Sequence, residues 1–105
     1  MKEDLLKKLP FIVFGENKWR LKTGTNEHGE LIITYDAHGQ TVAEARRTIH
    51  NIVNLSRIPI QLGIIHGYHN GTAIKDMLQT ENFYGKVACM FCPADNAGKT
   101  IMRII

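Results

Sequence analysis

The chain has 105 residues, 44% hydrophobic and 22% charged, with a net charge of +3. That length fits one domain able to bury a core without metal or disulfide staples, and the composition excludes a wholly disordered chain. A sequence pI of about 9.0 permits a phosphate-rich partner without demanding one.

Met1–Leu9 reads as a short amphipathic start with Leu5, Leu6 and Leu9 between charges, stopped by Pro10. Phe11–Phe14 is a compact apolar run expected to be a strand, Gly15–Asn17 a turn, and Trp19–Lys22 the partner strand. Thr23–Gly29 holds two glycines, an asparagine and no large apolar residue, so it is expected to be a loop with a soft boundary. Residues 1–29 are thus read as an N-terminal extension with room for a helix and a hairpin, and 30–105 as the domain proper.

From Leu31 the pattern sharpens. Leu31–Asp36 is rich in β-branched and aromatic residues and predicts a strand. Thr41 and Glu44 form a capping-box signature, and Val42, Ala45, Ile49, Ile52 and Val53 then fall on one helical stripe, closed by Ser56–Pro59. Ile60–Ile65 is almost continuously apolar, as a central strand buried on both faces would be. A polar loop leads to a second helix over Thr72–Gln79, then a strand over Val87–Cys92, a turn-rich stretch over Pro93–Gly98, and a last strand over Lys99–Ile105. The order is β-α-β-α-β-β, an α/β (α+β two-layer) arrangement with a mixed sheet packed by two helices.

In such sheets ligands sit beyond the carboxyl ends of strands. Two polar clusters fall there, Asp36–Gly39 and His66–Gly71. Asp36 and His38 are two apart, so they share a face of an extended chain, and a carboxylate beside an imidazole fixes its tautomer. His66 is expected from the neighbouring strand end, and two histidines suffice as base and acid for RNA cleavage. The same residues also suit plain structural roles, Asp36 bracing the loop and His38 packing in a turn.

Gly67 and Gly71 would let backbone approach a phosphate at the helix start, with Tyr68, His69 and Asn70 in the loop and Lys75 one turn on. Asp36, His38, His66 and His69 also have the chemistry for a divalent metal, although no spacing requires one, so neither a metal site nor a cofactor is assigned. Cys89 and Cys92 form a lone CxxC in a strand, read as core-type cysteines with thiols on opposite faces. Trp19 is read as part of a small apolar cluster and Tyr68 as the better base-stacking candidate. The basic residues, among them Lys18, Arg20, Lys22, Arg46, Arg47, Arg57, Lys86, Lys99 and Arg103, are scattered in sequence.

These motifs resemble the small MutS-related (Smr) family. Tyr35-Asp36-Ala37-His38-Gly39 followed by Thr41–Ala45 is similar to the Leu-Asp-Leu-His-Gly motif and helix start of that family. Ile65-His66-Gly67, with Asn70-Gly71, is similar to its His-Gly-x-Gly-x-Gly signature, and Gly98-Lys99-Thr100 to its closing Gly-x-Thr strand. Three departures stand out: Tyr35 and Ala37 replace leucines, His69 replaces the middle glycine, and Tyr68 sits where lysine is common.

The resemblance implies a fold like the C-terminal domain of bacterial initiation factor 3. It implies DNA or RNA binding, with an endonuclease (hydrolase) activity in some members, and maps the functional residues onto Asp36, His38 and His66 and the Gly-rich loop onto Gly67–Gly71. The alternative is a non-catalytic nucleic-acid or ribosome-binding module, and a third reading is a protein-interaction domain. Met1 is followed by Lys2, Glu3 and Asp4 rather than an apolar segment, and no apolar run approaches the ~18 residues of a spanning helix. A cytoplasmic protein without membrane contact is therefore expected.

Overall fold

Apolar alternation in one stretch and an unbroken apolar run in another set up the central pairing of the fold. Leu31–Asp36 (β2) carries Leu31, Ile33 and Tyr35 on one side, and Ile60–Ile65 (β3) carries Ile60, Leu62 and Ile64 on the matching side; all six are buried. The two strands pair in parallel, Leu31 opposite Ile60 through Asp36 opposite Ile65. Parallel neighbours need a crossover, here the helix Val42–Leu55 (α2). The computed structural model describes residues 2–8, 19–67, 71–83, 85–93 and 98–105.

Around that pair lie Lys2–Lys8 (α1), Leu21–Thr25 (β1), Gly71–Thr80 (α3), Val87–Phe91 (β4) and Lys99–Ile104 (β5). The five strands make one mixed sheet in the order β1-β2-β3-β5-β4, antiparallel except at β2–β3. With the three helices among the described residues, this is an α+β domain. From β2 onward the elements follow the β-α-β-α-β-β order expected. None of the described helices is long and apolar enough to cross a membrane.

The core lies on one side of the sheet. Ala45, Ile49, Ile52 and Val53 of α2 and Ile74, Met77 and Leu78 of α3 cover Ile33, Tyr35, Leu62, Ile64, Met102 and Ile104, and Leu5 of α1 joins the same cluster. α2 also meets the segment that follows α3: His50 Nε2 is 2.8 Å from Glu81 Oε1, and the His50 ring lies 4.7 Å from that of Phe83. Burial pushes the Tyr35 phenol above its usual range, and its hydroxyl donates to Gln40 Oε1.

Local chemistry sets the ends of α2. Thr41 Oγ1 accepts from Glu44 N–H at 3.1 Å and Glu44 Oε1 accepts from Thr41 N–H at 3.0 Å, the capping box read from the sequence. At the other end Lys86 Nζ donates to the carbonyls of Val53 and Ser56 at 3.1 and 2.8 Å, a cation where the helix dipole is negative.

Several expectations need correction. Thr23–Thr25 is strand rather than loop, because β1 pairs along its length with β2, Thr25 opposite Leu31. Asn26 builds the reversal, its Oδ1 accepting from His28 and Glu30 N–H groups at 2.9 Å each. Trp19 and Arg20 form a helical turn before β1 rather than part of a strand. The expected strand over Phe11–Phe14 and turn at Gly15–Asn17 lie outside the described residues.

β3 is the central strand, yet its second face is only half covered: Gln61 and Ile65 are half-buried. Cys89 and Cys92 are exposed thiols, not core ones, because β4 is an edge strand whose register slips between Val87 and Cys89.

The capping box carries a pH signature. The backbone N–H of Thr41, then its side chain, hold the Glu44 carboxyl below its ordinary value of 4.5. A carboxyl depressed in the folded state stabilises above its unfolded pKa and loses that contribution as pH falls through its folded pKa. Glu44→Gln keeps an acceptor but cannot titrate, so its difference in melting temperature from the parent should shrink below pH 4.5. Thr41→Ala should cost about 1 kcal/mol at neutral pH in urea unfolding.

Candidate functional site

The parallel register brings the two polar strand ends side by side. Asp36 ends β2 opposite Ile65, and Ala37 N–H donates to the Ile65 carbonyl at 2.8 Å, carrying the pairing one residue further. His66 and Gly67 N–H groups then donate to the Gly98 carbonyl at 2.9 and 3.0 Å, tying the second end to the start of β5. Gly67 takes φ +81°, and a Cβ there would come 3.7 Å from His38 Cβ, so the two turns abut.

Asp36 and His38 form a bonded pair. His38 Nδ1 lies 2.5 Å from Asp36 Oδ1, which also accepts from His38 N–H at 3.1 Å. A carboxylate can only accept, so the ring proton sits on Nδ1 and Nε2 is left with its lone pair. The His38 side chain is 59% exposed and that of Asp36 24%. The pair is therefore an oriented imidazole at the surface, able to accept a proton from an incoming group.

His66 is placed differently. It is 3% exposed, with Nδ1 at 3.2 Å from the Gly67 carbonyl and Nε2 at 2.9 Å from Thr100 Oγ1. The carbonyl fixes the proton on Nδ1, so Nε2 accepts from the Thr100 hydroxyl. Both ring nitrogens are thus engaged inside the protein, in a position that holds the Gly67 turn against His38 and β5.

Two residues not singled out for the site complete it. Arg20 Nη1 donates to the carbonyls of Asp36 and His38 at 3.0 and 2.8 Å, clamping the turn that carries the pair. Trp19 is 51% exposed, not buried in an apolar cluster; its ring centroid lies 5.7 Å from that of His38, with the Arg20 guanidinium 4.6 Å from its centroid. No sequence signal links Trp19 and Arg20 to residues sixteen to nineteen positions on. Thr100 had one signal, its place in the closing Gly-x-Thr motif.

The remaining expected site residues divide. Tyr68, His69 and Asn70 lie outside the described residues, and Gly71 begins α3. Lys75 lines an open groove of about 430 Å³ between α3 and β4, with Leu78, Phe83, Met90, Cys92 and Thr100. Thr100 thus stands between that groove and His66. Among the described residues no three His, Cys, Asp or Glu side chains are grouped to hold a metal ion.

Set against known proteins, the chain matches no family model, no curated protein and no solved structure.

Two substitutions test the scaffold of the site. Arg20→Ala removes both carbonyl contacts and should lower unfolding free energy by about 1–3 kcal/mol. Thr100→Val leaves the buried His66 Nε2 without its donor and should cost a similar amount, about 1–3 kcal/mol, for an unsatisfied buried group. Urea titration of both variants beside the parent reads the loss.

Proposed function

We propose that this chain is a nucleic-acid-binding domain of the Smr type, acting in the cytoplasm, with endonuclease activity centred on Asp36 and His38. The observation that carries the reading is the exposed, pre-oriented Asp36–His38 pair at the carboxyl edge of the parallel strands. It is supported by the resemblance of three motifs in order, and by a β-α-β-α-β-β course that fits the C-terminal domain of bacterial initiation factor 3.

On RNA, His38 Nε2 takes the 2′-hydroxyl proton while that oxygen bonds to phosphorus and the P–O5′ bond breaks, the departing oxygen gaining a proton from water. On DNA, water takes the place of the 2′-hydroxyl. Asp36 keeps the proton on Nδ1 and stabilises the imidazolium that forms. Trp19, exposed beside His38, offers a face for a base. His66 acts here as a positioning residue, holding the Gly67 turn, and the phosphate-contacting role belongs to Gly67–Gly71 with Lys75.

A second reading, a non-catalytic nucleic-acid or ribosome-binding module, is favoured by one observation: both His66 ring nitrogens are taken up by Thr100 and Gly67. Among the described residues the surface pair then lacks a second imidazole to serve as acid.

A cleavage assay on labelled structured RNA and supercoiled plasmid, with and without divalent metal, separates the two. The nuclease reading expects His38→Ala to lower the rate by roughly 100-fold or more with folding intact. Asp36→Asn should lower it less, by disturbing the tautomer. Equal traces of cleavage in parent and variants would mark contamination and leave the binding module.

A further inference from the structure

The helices cover one side of the sheet. The other side is built from the alternate residues of every strand, and the registers fix its rows. Lys22 stands opposite Thr34, Thr34 opposite Gly63, Gly63 opposite Ile101, and Ile101 opposite Phe91. Beside this row runs a second, Asp36, Ile65 and Lys99, which ends at the Asp36–His38 pair. On its other flank Arg103 lies between Gln61 and Cys89.

The surface has three properties together. Phe91 is 51% exposed, and Ile32, Ile65 and Ile101 are half-buried without belonging to the apolar side chains packed on the core. Lys22 and Lys99 bring positive charge. The acidic groups nearby are already engaged: Asp36 by His38, and Glu30 by Arg103 at 2.6 Å and by Asn26. At the centre of the face Gly63 has no side chain, and the Lys99 stem packs over it, its Cε 2.8 Å from where a Cβ would stand.

We propose that this face, which none of the described helices covers, is a track for single-stranded nucleic acid, leading from Phe91 across Ile101 and Lys99 to His38; the proposal rests on the reading of the dyad as a nucleic-acid site. A base stacks on the exposed Phe91 ring, the isoleucines form a low apolar shelf for the next, and Lys22 and Lys99 meet the phosphates. The row from Lys22 to Phe91 crosses five strands, about 19 Å at ordinary strand spacing. A single strand fits because its bases are free to lie on a flat surface. A duplex hides its base faces, and among the described residues this face presents no element able to enter a groove.

The probe is fluorescently labelled oligo(dT), which lacks the 2′-hydroxyl, and a hairpin duplex serves as competitor, with anisotropy as the readout. Phe91→Ala is expected to weaken single-strand binding about tenfold, while Phe91→Tyr, which keeps the ring, binds like the parent. The double variant Lys22→Ala/Lys99→Ala should lose affinity and flatten the slope of log affinity against log salt by roughly 1.4. Urea unfolding verifies that each variant is folded; Phe91 and Lys22 are exposed and should tolerate the change.

Unchanged affinity and salt slope in the Phe91→Ala and lysine variants would overturn the track, as would tighter binding of the duplex. If His38-dependent cleavage persists in that case, the dyad reading stands and only the track falls. If the parent binds neither form and cleaves nothing, both fall.

Discussion

The parallel pairing of β2 with β3 is the constraint on which the rest depends. Among the described strands it is the single parallel contact, and it forces the chain to cross over through α2 before β3 begins. Because the strands run the same way, their carboxyl ends finish together, and the residues just beyond them, Asp36–His38 and His66–Gly67, become neighbours. An antiparallel pairing of the same two strands would send these ends to opposite edges of the sheet. The buried rows Leu31, Ile33, Tyr35 and Ile60, Leu62, Ile64 hold the register, since a slip of either strand by one residue would turn its three away from the core.

A chain of contacts then converts this register into a site. Arg20 grips the carbonyls of Asp36 and His38 from the β1 side, while Gly98 and Thr100 grip His66 and Gly67 from the β5 side. The Asp36–His38 turn is thus held from one neighbouring strand and the His66–Gly67 turn from the other, and they touch at Gly67. The exposed imidazole is the chemical group that faces solvent; the buried one is a brace. The two histidines differ because Thr100 lies beside one and solvent beside the other.

Much of this was legible in the sequence. Thr41 and Glu44 fixed where α2 starts because capping is local chemistry, and the apolar run Ile60–Ile65 pointed to the central strand that β3 is, although its second face is only half covered. The spacing of Asp36 and His38 was enough to pair them. What escaped was non-local. Thr23–Thr25 has weak strand character and becomes β1 only because β2 lies alongside. The Arg20 and Thr100 partners sit sixteen and thirty-four residues from the groups they bond. The cysteines looked buried because cysteine usually is, whereas their positions on and just after the edge strand β4 leave them in solvent.

The central claim is that the strand-end pair and its surroundings meet nucleic acid, and chemical-shift mapping by nuclear magnetic resonance tests it most directly. On adding a short single-stranded RNA to the isotope-labelled chain, the largest shifts should fall on the His38 ring, the Trp19 indole N–H and the amides of Ala37–Gly39 and Gly67. Shifts confined to the outer surfaces of α2 and α3, or none at saturating RNA, would contradict it.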